Sequence, residues 1–136
     1  MDATRAPFAR NPADPLALAE RRIAWLESRQ RVLAQNIANA DTPGYQPRDL
    51  RAFSQVLAGA AGPGLARTDA RHLGPTRGEA DSRRDRMAAE RTPDGNAVSL
   101  DQQALRVAET DSAHALALGL YRRYHALMRT ALGRSQ

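Results

Sequence analysis

Neither cysteine nor lysine occurs among the 136 residues, and aromatic side chains make up only 4% of them. Without cysteine there is no disulfide framework, no thiolate zinc site and no cysteine nucleophile. No apolar run approaches the ~18 residues of a membrane span, and residues 1–15 lack the apolar core of a secretory signal peptide. The length allows one domain. These absences lead us to expect a soluble chain.

What is present is arginine. All 20 basic side chains are Arg, set against 15 acids for a formal net charge of +5. Arg grips phosphate and guanine edges bidentately, so a small nucleic-acid binder is one reading. Two observations oppose it. Ala is more abundant still, with 27 copies, and there is no Lys, which is what GC-rich coding bias would produce. The densest Arg stretch, residues 77–91, interleaves five Arg with four acids and is nearly neutral.

From Leu16 the side chains Leu16, Ala19, Ile23, Leu26, Gln30, Leu33, Ile37 and Ala40 alternate steps of three and four, the seam of a coiled-coil helix. Asp14 is placed to cap this helix and Pro15 to open it. Asp41-Thr42-Pro43-Gly44 ends it, giving a helix over 15–40, roughly 39 Å long. Leu18, Trp25 and Val32 form a second line, so more than one face is sticky. A second long helix starts at the capping-box spelling Ser99-Leu100-Asp101-Gln102 and ends near Gly133. Its acids lie early and Arg122, Arg123 and Arg129 late, as the helix dipole favours. Its apolar residues, among them Leu116, Leu120, Tyr121, Leu127 and Met128, spread over an arc of roughly 200°, twice the stripe one partner needs.

Between the helices, residues 48–58 read as a short helix carrying Leu50, Phe53, Val56 and Leu57, and residues 65–96 read as loop, partly disordered. The expected fold is all-α: two long terminal helices paired as a coiled-coil-like hairpin around a loop-rich middle. Its divisions are an extension over 1–14, a discontinuous core over 15–58 and 97–133, and a linker over 59–96. Pairing leaves the Trp25 line and half of the second arc uncovered, which predicts assembly.

Catalytic signals are weak. His72 lies in the loop, while His114 and His125 share a helix face about 16 Å apart and cannot hold one metal together. No phosphate loop, HExxH or GxSxG spelling occurs. Asp94-Gly95-Asn96 lacks the other ligands of a calcium loop and reads as a tight turn. We expect no catalytic residue, no metal site, no cofactor and no small-molecule ligand.

The most informative stretch is Leu33-Ala34-Gln35-Asn36-Ile37-Ala38-Asn39-Ala40-Asp41-Thr42-Pro43-Gly44-Tyr45. It resembles the N-terminal signature of the flagellar axial proteins, the rod, hook and related subunits. Arg48-Asp49-Leu50, Thr68 to His72-Leu73, Asp94-Gly95-Asn96-Ala97-Val98 and the terminal helix with His114, Leu120-Tyr121 and Leu127 continue the likeness. The resemblance covers about residues 16–58 and 93–133. The absence of a long β-rich insertion favours a proximal rod protein among them. Gln46-Pro47 departs from the basic and small residues usual after the Tyr.

The resemblance implies a structural subunit of the basal-body rod whose paired helices pack against neighbours in a helical tube. It implies partners among itself, other rod proteins, the membrane-ring adaptor and the type III export apparatus, and export to the periplasm without a cleaved signal. Subunit packing would then fall to Leu16, Ile23, Trp25, Leu26, Leu33, Ile37, Leu116, Leu120, Tyr121, Leu127 and Met128. Asn36 and Asn39 either cap the helix end or meet a neighbour's backbone. Gly44 reads as a left-handed turn position, and Tyr45 anchors that turn to the hairpin or to the next subunit. A nucleic-acid binder and a chaperone-like helical partner are the alternatives.

Overall fold

The computed structural model describes residues 14–61, 82–86, 88 and 92–133. In chain order these form α1 (Pro15–Ala38), β1 (Arg48–Leu50), α2 (Phe53–Ala61), β2 (Ser82–Arg84) and α3 (Leu100–Ala131). Residues 1–13 of the expected extension and residues 62–81 of the expected linker lie outside the described residues.

The helix ends follow the sequence signals. Asp14 caps α1, its carboxylate accepting from Leu16 N at 3.0 Å, with Pro15 at the first helical position. Ser99 caps α3 by accepting from Gln102 N at 3.4 Å, and Gly133 closes it at φ +70°. Helix α1 stops at Ala38, two residues early, because Asn39 turns its side-chain amide back onto Gln35 O at 2.8 Å and its backbone N–H onto both Gln35 O and Asn36 O.

The two long helices, about 36 and 48 Å by their residue counts, pair antiparallel. Three side-chain contacts fix the register: Asn36 with Gln103, Gln30 with Asp111, and Glu20 with Tyr121. Each helix contributes at sevenfold spacing: Leu26 and Leu33 from α1, Gln103, Thr110 and Ala117 from α3, all at most 9% exposed. The bulk comes from α1, and α3 offers small or polar residues. The Thr110 hydroxyl is satisfied by Arg106 O at 2.7 Å. The expected helical hairpin is thus present, and α3 turns the middle of its apolar arc inward, at Ala117 and Tyr121, leaving one edge of that arc uncovered. Leu116, Leu120, Leu127 and Met128 are exposed, as is Ile37 on α1, whose place in the core is taken by Asn36.

The middle also differs from expectation. Residues 48–50 are strand, not helix, and pair antiparallel with residues 82–84 in the register Arg48↔Arg84, Asp49↔Arg83, Leu50↔Ser82. Helix α2 starts only at Phe53. Asn36 binds both the N–H and the C=O of Arg48, and Asp49 Oδ1 accepts from its neighbour Leu50 N at 2.8 Å, so these groups are unavailable to a helix. Pro47, in the dipeptide that departs from the family pattern, is fully buried and its carbonyl accepts from Asp85 N at 2.8 Å.

Candidate assembly surface and the motif that shapes it

Asn36 is 0% exposed, so every polar atom of its amide needs a partner. All four bonding sites are used. Nδ2 donates to Arg48 O at 2.7 Å and to Gln103 Oε1 at 3.0 Å, while Oδ1 accepts from Arg48 N at 2.9 Å and from the Tyr45 hydroxyl at 3.3 Å. One side chain therefore joins α1, the turn, β1 and α3. Of the two roles expected for Asn36 it takes neither. Asn39 does cap the helix end.

The turn after α1 is clamped by the segment leading into α3. Gly44 N donates to Asp94 O at 3.0 Å, and Ala97 N donates to Tyr45 O at 3.1 Å. Asn96, 3% exposed, donates from Nδ2 to Asn39 O at 3.1 Å and Thr42 O at 2.7 Å and accepts from Val98 N at 2.8 Å. Gly44 adopts φ +71° with nothing within 4 Å of a Cβ built there, so backbone conformation alone calls for glycine. Gly95, at φ +83°, would place a Cβ 3.5 Å from Gly44 Cα. The Asp94 carboxylate accepts from the Thr92 hydroxyl and from Asn96 N, which holds its pKa below the usual carboxylate value. Tyr45 thus anchors the turn within the chain. Asp41, Thr42 and Pro43 stay exposed at its tip, as does Ala38 before it.

Beside the turn runs a line of alternating charge. Arg29 forks onto Asp49 at 3.0 and 2.9 Å, and Arg106 lies 3.7 Å from Asp49 and 2.5 Å from Asp85. The Asp49 carboxylate raises the Arg29 pKa above its ordinary value. The guanidinium of Arg29 also lies 5.7 Å from the Trp25 ring centroid, and that of Arg22 lies 4.8 Å from Trp25 and 4.9 Å from Phe53. Trp25 Nε1 donates to Arg51 O at 3.0 Å, so the Trp25 line holds β1 and α2 against α1.

At the other end of the helix pair the surface is apolar. A groove of about 480 Å³ opens between Leu16, Leu18 and Ala19 of α1, Phe53 of α2, and Leu120 and Tyr124 of α3. Outside it Leu116 and Leu127 are exposed on α3. Leu16 borders this groove and Ile23 is half-buried, whereas Leu26 and Leu33 are closed inside the chain's own helix pair. Tyr121 stacks edge-on against His125 with centroids 4.7 Å apart. His114 faces Glu27 at 3.9 Å. Among the described residues no three His, Cys, Asp or Glu converge as metal ligands, and His72 lies outside them.

Sequence reasoning missed Gln103, Asn96 and the Arg29–Asp49–Arg106–Asp85 line. The Asp94-Gly95-Asn96 spelling did mark a turn; its side-chain clamp on the first turn had no local signal.

A polar-locked turn on a helix pair with uncovered apolar faces suits a structural, assembling protein. Residues 18–46 match the family of flagella basal body rod proteins, and they contain the locked helix end and most of its turn. Over 122 residues the chain is 34% identical to the flagellar basal body rod protein FlgB of Agrobacterium fabrum, covering 86% of this chain and 91% of that one. It is 36% identical over 124 residues to that of Cereibacter sphaeroides, covering 88% and 94%, and 33% identical over 100 residues to that of Salmonella typhimurium, covering 66% and 72%. The protein is therefore a structural subunit of the flagellar basal-body rod. Within that class it belongs to the FlgB family. These relatives give the nucleic-acid alternative no support.

Proposed function

We propose that this subunit sits in the proximal rod and polymerises by helix packing, joining the membrane ring and its adaptor to the next rod protein. In this reading it crosses to the periplasm through the type III export apparatus without a cleaved signal and takes no part in catalysis. The observation that carries it is the uncovered apolar surface: the groove beside Phe53 together with Leu116, Leu120 and Leu127 on α3. Surface of this kind is held in reserve for partners. Leu16, Ile23, Tyr121 and Met128 extend this contact surface, with Trp25 and Ile37 at its margins. Leu26 and Leu33 contribute by holding the two helices together.

The test is Leu120→Asp in the flagellated host. Leu120 is 57% exposed, so the variant keeps its helix content while rods fail to form and swimming stops. A folded Leu120→Asp protein that builds complete rods would remove this surface from the subunit contacts. Leu26→Asp acts differently, unfolding the isolated chain, because Leu26 is 1% exposed.

A further inference from the structure

The spacing of seven positions on α3 reads the same in both directions. Leu105, Glu109, Ser112, Leu116, Leu120, Arg123 and Leu127 follow steps of four, three, four, four, three and four, and all seven are exposed. At about 100° per residue they fall within an arc of roughly 80°, about 33 Å long. The buried positions Gln103, Thr110 and Ala117 lie roughly 120° around the helix. The stripe is therefore free while α1 is in place.

We propose that this stripe pairs antiparallel with the same stripe of a second copy of the chain, with a two-fold axis at Leu116. In that register Leu105 meets Leu127, Ser112 meets Leu120, Leu116 meets itself, and Glu109 meets Arg123 at two symmetry-related places. A parallel pairing of the same stripes would set Glu109 against Glu109 and Arg123 against Arg123. Charge therefore selects the antiparallel arrangement, and opposed helix dipoles favour it as well. The Leu105, Leu116 and Leu127 spacing of eleven keeps the line nearly straight along the axis, so contact is maintained over its whole length.

A strip of about 33 Å by about 10 Å on each copy buries on the order of 700 Å² in total, below the range of stable interfaces and within that of reversible ones. A two-fold pair closes on itself, whereas a helical polymer needs head-to-tail contacts. The pair is thus a holding form of the free subunit that covers its apolar stripe and must separate before that stripe can meet a different neighbour. The pairing stands on α3 alone and does not depend on where the subunit lies in the rod.

The natural lack of cysteine makes the test direct. Purified full-length chain is followed by sedimentation from low to high micromolar concentration, and single-cysteine variants are mildly oxidised. We expect a concentration-dependent shift from monomer to dimer. Leu116→Cys cross-links to itself; Leu105→Cys and Leu127→Cys do so poorly alone but cross-link when mixed. Glu109→Arg raises the dimer dissociation constant roughly tenfold, and adding Arg123→Glu restores it. Monomer throughout the concentration range overturns the proposal. So does self-linking of Leu105→Cys and Leu127→Cys as readily as Leu116→Cys, or a double reversal that stays as weak as the single one. Circular dichroism confirms that each variant is folded; the positions are exposed, so helix content is retained.

Discussion

Replacing Asn36 by Asp exchanges one NH2 group for an oxygen and keeps the shape. The two bonds lost are those from Nδ2 to Arg48 O at 2.7 Å and to Gln103 Oε1 at 3.0 Å. Gln103 can turn its amide and donate to the new oxygen. The Arg48 carbonyl cannot, and is left facing another acceptor. The variant also buries a negative charge at a site that is 0% exposed. An unpaired buried group costs about 1–3 kcal/mol and an uncompensated charge more, so Asn36→Asp should cost roughly 3–5 kcal/mol. Asn36→Ala, which leaves Arg48 and Gln103 unpaired without adding charge, should cost about 3 kcal/mol. Against the 5–15 kcal/mol typical of a whole domain, either loss is large. Urea unfolding followed by the helical circular-dichroism signal measures both. An Asn36→Asp variant within about 1 kcal/mol of the natural protein would refute the claim that this amide locks the motif.

Gly44→Ala and Gly95→Ala should each lose about 1 kcal/mol from backbone strain alone, since a Cβ at residue 95 would meet Gly44 Cα at 3.5 Å, an ordinary contact distance; chemical denaturation measures both. Arg29→Lys keeps the charge but not the fork onto Asp49 or the stack on Trp25, and should destabilise by about 1 kcal/mol with a shift in Trp25 fluorescence. Asp94 has a depressed folded-state pKa, so its contribution is fully present above the ordinary Asp value and is lost as pH falls through the lower folded value. The backbone amides of Gly44, Asn96 and Ala97 should therefore exchange faster, relative to those of α3, in strongly acidic solution than near neutrality, and Asp94→Asn should remove that pH dependence.

Local signals fixed the helix ends: Asp14 with Pro15, Ser99 with Gln102, and Gly133 were legible because a cap is decided by residues next to it. The phase of α1 was legible through Leu26 and Leu33. The phase of α3 was legible only as a wide arc: its middle, at Ala117 and Tyr121, faces α1, but nothing local said which edge would stay uncovered. Gln103, Thr110 and Ala117 accommodate the bulk of α1, and the largest leucines face outward. Apolarity alone gives an arc too wide to divide when a helix keeps part of its surface for another molecule. The strand pair was hidden for another reason. Arg48-Asp49-Leu50 and Ser82-Arg83-Arg84 carry no alternating pattern, and their extended shape comes from a distant amide, that of Asn36. The motif itself was recognisable, but its physical role lay in partners about sixty residues away.

The polar fastenings of this molecule are not spread evenly. Asn36, Asn96 and the Arg29–Asp49–Arg106–Asp85 line gather where α1 ends and α3 begins, while towards the opposite end the Tyr121 hydroxyl reaches Glu20 across the helices at a long 3.5 Å. Opening free energies should therefore fall along the helix axes, from near the global value at the fastened end to almost nothing at the other, as amide hydrogen exchange would record. The hairpin is hinged at one end and loose at the other. The loose end carries the apolar groove, so the part of the subunit that can best reshape itself is the part with surface left to bury.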